Sequence, residues 1–245
     1  MELRLLALYP EQMNIYADRG NILFLQRRCE WRGIDFTLAS AGPAESFDPA
    51  GHDLIYISGG QDRDQKLVAE DMLRSKRDAL AAAVGEDAVV LAVCGGYQLL
   101  GHGYRLGDER IAGLGLVDLE TVREPGARLI GNVAVEADTG LGNRVIAGFE
   151  NHGGRTYLGA GAVPLGRVLD GHGNNGADKT EGVRHRNLIG TYLHGPLLPK
   201  NAWLADRLIQ LALARRNGSE PELAPLDDTF EAAAHEGARR TAARG

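Results

Sequence analysis

A chain of 245 residues and 26.3 kDa is long enough to bury a full core and is expected to form one large domain. Its formal net charge of -6, with no basic cluster, argues against a nucleic-acid binder. Only two cysteines occur, Cys29 and Cys94, so neither a disulfide framework nor a thiolate metal site is indicated. No run approaches the roughly eighteen consecutive apolar residues of a membrane span, and the first residues carry no signal-peptide core. A cytoplasmic location, where a free reactive cysteine persists, is therefore expected.

In chain order, Leu3 to Tyr9 reads as a first strand closed by Pro10. After the polar stretch EQMNIYADRGN, Ile22 to Trp31 carries helical spacing, with Arg27, Arg28, Glu30 and Arg32 on an expected solvated face and Gly33 as the stop. Cys29 on that helix reads as a small buried apolar residue. Asp35 to Ala39 is a short second strand and Asp53 to Ile57 a third, followed by the turn SGGQD. Gly59 and Gly60 there serve either a plain turn or a ligand-facing backbone, since ligands bind where strand ends and helix starts converge. Gln65 to Val84 reads as one or two helices.

Ala88 to Val93 is an unbroken apolar run, the pattern of a strand buried on both faces, and it stops at Cys94. Gly95 and Gly96 follow, and then a short helix to about Gly101. A cysteine on a tight strand-to-helix turn has its sulfur lifted above the sheet edge, where helix N–H groups favour the thiolate. This is the thiol form of the nucleophile elbow.

The order of strands and helices indicates a flavodoxin-like, mostly parallel α/β sheet with helices on both faces. After Gly103 the texture changes to glycine-punctuated runs, with strands near Arg128 to Glu136 and Arg144 to Phe149, so antiparallel strands are expected to extend the sheet. The loop from Gly171 to Gly182, GHGNNGADKTEG, is either exposed or held near a site. A strand from Asn187 to Leu193 then delivers His194 before a Gly-Pro turn, where it can act as base for Cys94. His152 is the second candidate for that role, and no H-E-x-x-H or paired Cys/His spacing marks a metal site. Asn201 to Ala214 is an amphipathic helix. Residues 1–218 are taken as the domain and 219–245 as a tail, either mobile or partner-contacting, with a short helix from Asp227 to about Arg239 and a loose capping box at Asp228 and Glu231.

The elbow AVCGGYQLLG, the SGGQD turn and TYLHGPLLPKN resemble the class I glutamine amidotransferases of the cobyric acid type. LYPEQMNIYADRGN, GFENHGGRTYLG and GHGNN further resemble the glutaminase subunits of lipid II isoglutaminyl synthases. The resemblance runs from Leu8 to about Ile209. It implies Cys94 as nucleophile and His194 as its base, with the amides of Gly60 and Gly95 facing the oxyanion. It also implies Gln98 and Arg128 in the glutamine site, Arg128 on the substrate α-carboxylate, and Asn151 and His152 beside the pocket. Many class I glutaminases carry a glutamate two positions after the histidine; here Pro196 stands there, so the group that orients His194 must come from elsewhere.

The activity implied is hydrolysis of L-glutamine through a cysteine thioester. Ammonia would pass to a Mur-ligase-like partner in a heterodimer, for ATP-dependent amidation of the lipid II stem-peptide glutamate. No P-loop pattern occurs, so no cofactor is expected in this chain, and ATP and a divalent metal are expected in the partner. The alternatives are an amidotransferase of another pathway, such as cobyric acid-type cofactor amidation, a cysteine hydrolase of similar fold, and a non-enzymatic domain that keeps the fold.

Overall fold

The computed structural model describes residues 1–14, 18–60 and 62–244. Residues 15–17 of the LYPEQMNIYADRGN stretch, Gln61 of the SGGQD turn and Gly245 lie outside the described residues. The first half alternates strand and helix: β1 (Glu2–Leu8), α1 (Arg19–Glu30), β2 (Asp35–Ala41), β3 (Leu54–Ile57), α2 (Asp62–Ser75), α3 (Arg77–Gly85), β4 (Val89–Val93) and the short α4 (Gly95–Leu99). The long segment before β4 is thus two helices, parted at the buried Lys76. That ammonium bonds to Asp71 Oδ2 at 3.0 Å and to the Gly42 carbonyl at 2.9 Å. Cys29 is fully buried on α1, and burial pushes its thiol up to about 12, so it behaves as an inert core residue.

The second half supplies β5 (Gly103–Leu106), β6 (Glu109–Ala112), β7 (Leu119–Arg123), β8 (Leu129–Asp138), β9 (Asn143–His152), β10 (Gly154–Leu158), β11 (Gly166–Asp170), β12 (Thr180–Glu181), β13 (Val183–His185) and β14 (Leu188–Thr191), then α5 (Ala202–Asn217) and α6 (Thr229–Ala242). The main sheet runs β13-β14-β4-β3-β1-β2. Its strands β2, β1, β3, β4 and β14 are all parallel, in the doubly wound order of flavodoxin-like sheets. A single antiparallel strand, β13, extends it. The remaining strands form two sheets of their own, β10-β7-β5-β6, mixed because β5 and β7 run parallel, and the antiparallel β12-β11-β8-β9.

Every residue of β4 is buried, as its unbroken apolar run requires. Parallel strands place their carboxyl ends on one edge, so the segments after β1, β3, β4 and β14 converge there. The second half is fastened to this edge by a backbone bridge. The His194 amide donates to the Phe149 carbonyl at 2.7 Å and the Phe149 amide donates back at 3.3 Å. The segment after Gly218 does not run free of the body: Arg28 on α1 holds Asp228, and α6 lies against the β8–β9 hairpin. Asp228 makes no cap to its own helix; Asp227 Oδ1 accepts from Thr229 instead.

Candidate active site

Cys94 is the turn between β4 and α4, with φ +49° and ψ -108°, a region that side-chain-bearing residues rarely occupy. Three backbone bonds hold it there. The Cys94 amide donates to Thr191 on β14 at 2.8 Å, the Gly96 amide to the Ser58 carbonyl at 3.1 Å, and the Gln98 amide to the Cys94 carbonyl at 2.9 Å. A Cβ at Gly96 would stand 2.8 Å from the carbonyl oxygens of both Ile57 and Ser58, so only glycine lets the elbow close onto β3.

His194 follows β14 and is fully buried. Its Nδ1 lies 2.7 Å from Asp18 Oδ2. Cys94 is the ring's other electrostatic neighbour. Burial opposes protonation, yet the negative charge of a Cys94 thiolate and the bond to Asp18 outweigh it, raising His194 to about 10. The site therefore favours the imidazolium form of His194. Asp18 lies in the LYPEQMNIYADRGN stretch that carries part of the family resemblance, yet nothing in the sequence gives it a role in the site.

Gly60, after β3, and Gly95 come side by side: a Cβ on Gly95 would stand 3.1 Å from the Gly60 amide nitrogen. Two backbone amides thus lie next to the thiol, the arrangement that can hold a tetrahedral oxyanion. Behind them, Gln98 is buried with both ends of its amide engaged. Its Oε1 accepts from Gln65 Nε2 at 2.8 Å, and its Nε2 donates to Tyr192 Oη at 3.0 Å. The loop from Gly171 is held against the same elbow, since Tyr97 Oη donates to Asn174 Oδ1 at 3.0 Å.

Arg128 and Asn151 meet on the exposed side, at the paired ends of β8 and β9. Arg128 Nε donates to Asn151 Oδ1 and its Nη2 to the Asn151 carbonyl, both at 2.7 Å. His152 is buried, with Nδ1 2.8 Å from the Gly154 carbonyl, and Cys94 acts on the charge of His194 and not on that of His152. Among the described residues no group of three or more His, Cys, Asp or Glu is placed to hold a metal ion, and no described helix is long and apolar enough to cross a membrane.

Residues 4–202 match the CobB/CobQ-like glutamine amidotransferase domain. The chain belongs to that family. It is a glutamine-hydrolysing amidotransferase of the class I fold.

This amidotransferase is 38% identical over 228 residues to the lipid II isoglutaminyl synthase (glutamine-hydrolyzing) subunit GatD of Streptococcus pneumoniae, spanning 93% of this chain and 86% of that protein. It is 40% identical over 216 residues to the GatD subunit of Staphylococcus aureus, spanning 88% of this chain and 86% of that protein. A cobyric acid synthase of Pelotomaculum thermopropionicum is 35% identical over 197 residues, which cover 71% of this chain and 36% of that one. Among solved structures, PurLQS of Thermotoga maritima superposes with a TM-score of 0.60 at 18% identity, over 87% of this chain and 98% of that one. That likeness concerns the fold alone.

Proposed function

We propose that this amidotransferase is the glutaminase subunit of a lipid II-amidating ligase. The observation that carries the glutaminase chemistry is the Cys94 elbow, with His194 as its electrostatic neighbour and the amides of Gly60 and Gly95 side by side. The Cys94 thiolate attacks the side-chain carboxamide carbon of L-glutamine, forming a C–S bond and a tetrahedral oxyanion that the two amides stabilise. The C–N bond then breaks as the His194 imidazolium gives its proton to the departing nitrogen, releasing ammonia. Neutral His194 next takes a proton from water, which attacks the thioester. Glutamate leaves, and the thiolate and imidazolium are restored. Gln98 supports the elbow from behind, and Arg128, steadied by Asn151, binds the substrate α-carboxylate.

The acceptor is assigned on the two relatives that share 38% and 40% of their residues with this chain over most of both lengths. In this reading a Mur-ligase-like partner binds ATP and a divalent metal, activates the stem-peptide glutamate and receives the ammonia. The cobyric acid synthase likeness supports the second reading, a cofactor-pathway acceptor, over a smaller share of the chain. The test is glutamate and ammonia release from L-glutamine by the chain with and without such a partner, together with amidation of lipid II. Release that disappears in Cys94→Ala and His194→Ala, with lipid II amidated only by the complex, is expected. Release that survives Cys94→Ala in a clean sample would overturn the chemistry, and a complex that leaves lipid II untouched would overturn the acceptor.

A further inference from the structure

The position two residues after the histidine is Pro196, which cannot hold an imidazole. It is occupied in another sense: a Cβ on Gly20 would stand 2.7 Å from Pro196 Cγ, so the start of α1 is pressed against the turn that follows His194. That contact brings Asp18 to the ring. Asp18 and His194 are both fully buried, and their 2.7 Å bond joins residues 176 positions apart.

We propose that Asp18 is the positioning residue of this site, taking the place of an acid downstream of the histidine. The inference rests on the glutaminase reading above. A carboxylate on Nδ1 fixes the proton there and turns the opposite nitrogen to the sulfur. It also balances the imidazolium in a site closed to water.

Asp18 is itself held, chiefly through its backbone. The Asp18 carbonyl accepts from Tyr56 Oη at 3.1 Å and from the Asn21 amide at 2.9 Å. Asn21 in turn donates to Tyr56 Oη at 3.0 Å and accepts the Leu198 amide at 2.8 Å. The start of α1 is thereby tied both to β3 and to the segment after His194. At longer range, Asp18 Oδ2 accepts from Ser58 Oγ at 3.5 Å and Oδ1 from the Gly195 amide at 3.4 Å. A surface carboxylate near a histidine by accident would have no such frame.

The experiment is Asp18→Asn in the full chain, assayed with the same partner and substrates as the wild type. The expected result is a fall in kcat of roughly 100-fold or more with KM within about threefold, because the imidazole loses its tautomer and not its substrate. Alkylation of Cys94 by iodoacetamide, followed against pH, reads the pair without glutamine. Its profile in Asp18→Asn should move by about one pH unit or more relative to wild type, the scale on which a neighbouring charge acts. Either a kcat within threefold of wild type or an unmoved alkylation profile would overturn the proposal, the latter assigning Asp18 to structure alone. If Asp18→Asn does not fold, the wild type decides: 15N-histidine NMR should find the proton of His194 on Nδ1, and a neutral Nε2–H tautomer would overturn the assignment. Failure of the glutaminase reading shows separately, as release that survives Cys94→Ala.

Discussion

The imidazole of His152 lies flat on the phenol ring of Tyr192, with ring centroids 3.6 Å apart and planes within 6° of each other. Its Nδ1 is spent on Gly154 and its Nε2 lies 3.4 Å from Glu150 Oε2. Burial holds its protonation below the ordinary histidine range in spite of that carboxylate. His152 is thus a packing piece behind the strand that carries His194. His152→Phe should keep a ring on Tyr192 and leave the buried Gly154 carbonyl without its imidazole partner, while Glu150 keeps the amides of His172 and Gly173, lowering stability by about 1–3 kcal/mol. Glutamine hydrolysis by the folded fraction should stay within about tenfold of wild type, whereas His194→Ala abolishes it. Loss of activity equal to that of His194→Ala, in a protein of unchanged Tm, would return His152 to the chemistry.

The backbone at Cys94 is strained, at φ +49°, and nothing about the sulfur relieves it. Glycine has no Cβ to object. Cys94→Gly should therefore be more stable than Cys94→Ala by about 1 kcal/mol, both being inactive. Chemical denaturation of the two variants reads the difference directly. Equal midpoints would mean that the elbow is unstrained and the nucleophile is held without cost to the fold.

Arg128 makes two bonds of 2.7 Å to Asn151, and in the proposed function the rest of its guanidinium meets the substrate α-carboxylate. Removing the arginine removes charge-assisted bonds, so Arg128→Ala should raise the KM for glutamine by about 10–100-fold with a smaller change in kcat. Asn151→Ala leaves the charge and loosens its aim, for a rise of about 2–10-fold. Steady-state kinetics on both variants test this. A kcat effect without a KM effect would remove Arg128 from substrate binding.

Glu181 accepts from Thr191 Oγ1 at 2.6 Å and from the Tyr192 amide at 2.9 Å, beneath the stretch that leads to His194. Full burial, with the Glu150 charge adding to it, pushes its carboxyl up to about 7 against those bonds. Between the ordinary carboxylate range and pH 7 the folded protein holds a proton that the unfolded chain has released. Stability from this group is therefore present at low pH and lost as pH rises through that window. Glu181→Gln abolishes the titration and should gain on wild type between pH 5 and pH 8. Tm curves of the two proteins that run parallel across this range would sink the idea.

The main sheet and the edge of the site were readable because their signals are local. Val89–Val93 is an apolar run that only a doubly covered strand explains, and the parallel order then sends Cys94 and His194 to the same edge. The strands from β10 to β13 are two to five residues long among glycines, too short for alternation to show. Asp18 was beyond reach for another reason. Its partner is 176 residues away, and the contact depends on how α1 docks against the turn at Pro196. The acid at 228 misled in the same way: it reads as a helix cap and instead meets Arg28, 200 residues distant.

That last contact decides what the tail contributes. The Arg28 guanidinium is wholly buried and shared between Asp206 and Asp228, with bonds of 2.6 Å to each. Arg32 Nε adds a bond to the Ala224 carbonyl at 2.7 Å, and His235 Nδ1 lies 2.8 Å from the Lys200 carbonyl. Taking away the arginine leaves Asp206 its bonds to Arg32 and Asp228 partly open to water, but it empties the buried space that the Arg28 side chain fills, so Arg28→Ala should cost about 2–4 kcal/mol. Asp228 is partly exposed and Arg28 keeps Asp206 without it, so Asp228→Ala should cost no more than about 1 kcal/mol. Ending the chain at Gly218 removes Asp228 together with the cover over the β8–β9 hairpin, and should lie between those two. The tail's bonds are to α1 and to the segment around Lys200, so the truncated chain should hydrolyse glutamine within about twofold of the full one at a temperature where both are folded. An unchanged Tm on truncation would mean that these contacts contribute nothing. A fall in rate with the Tm preserved would tie the tail to the reaction instead of to the fold.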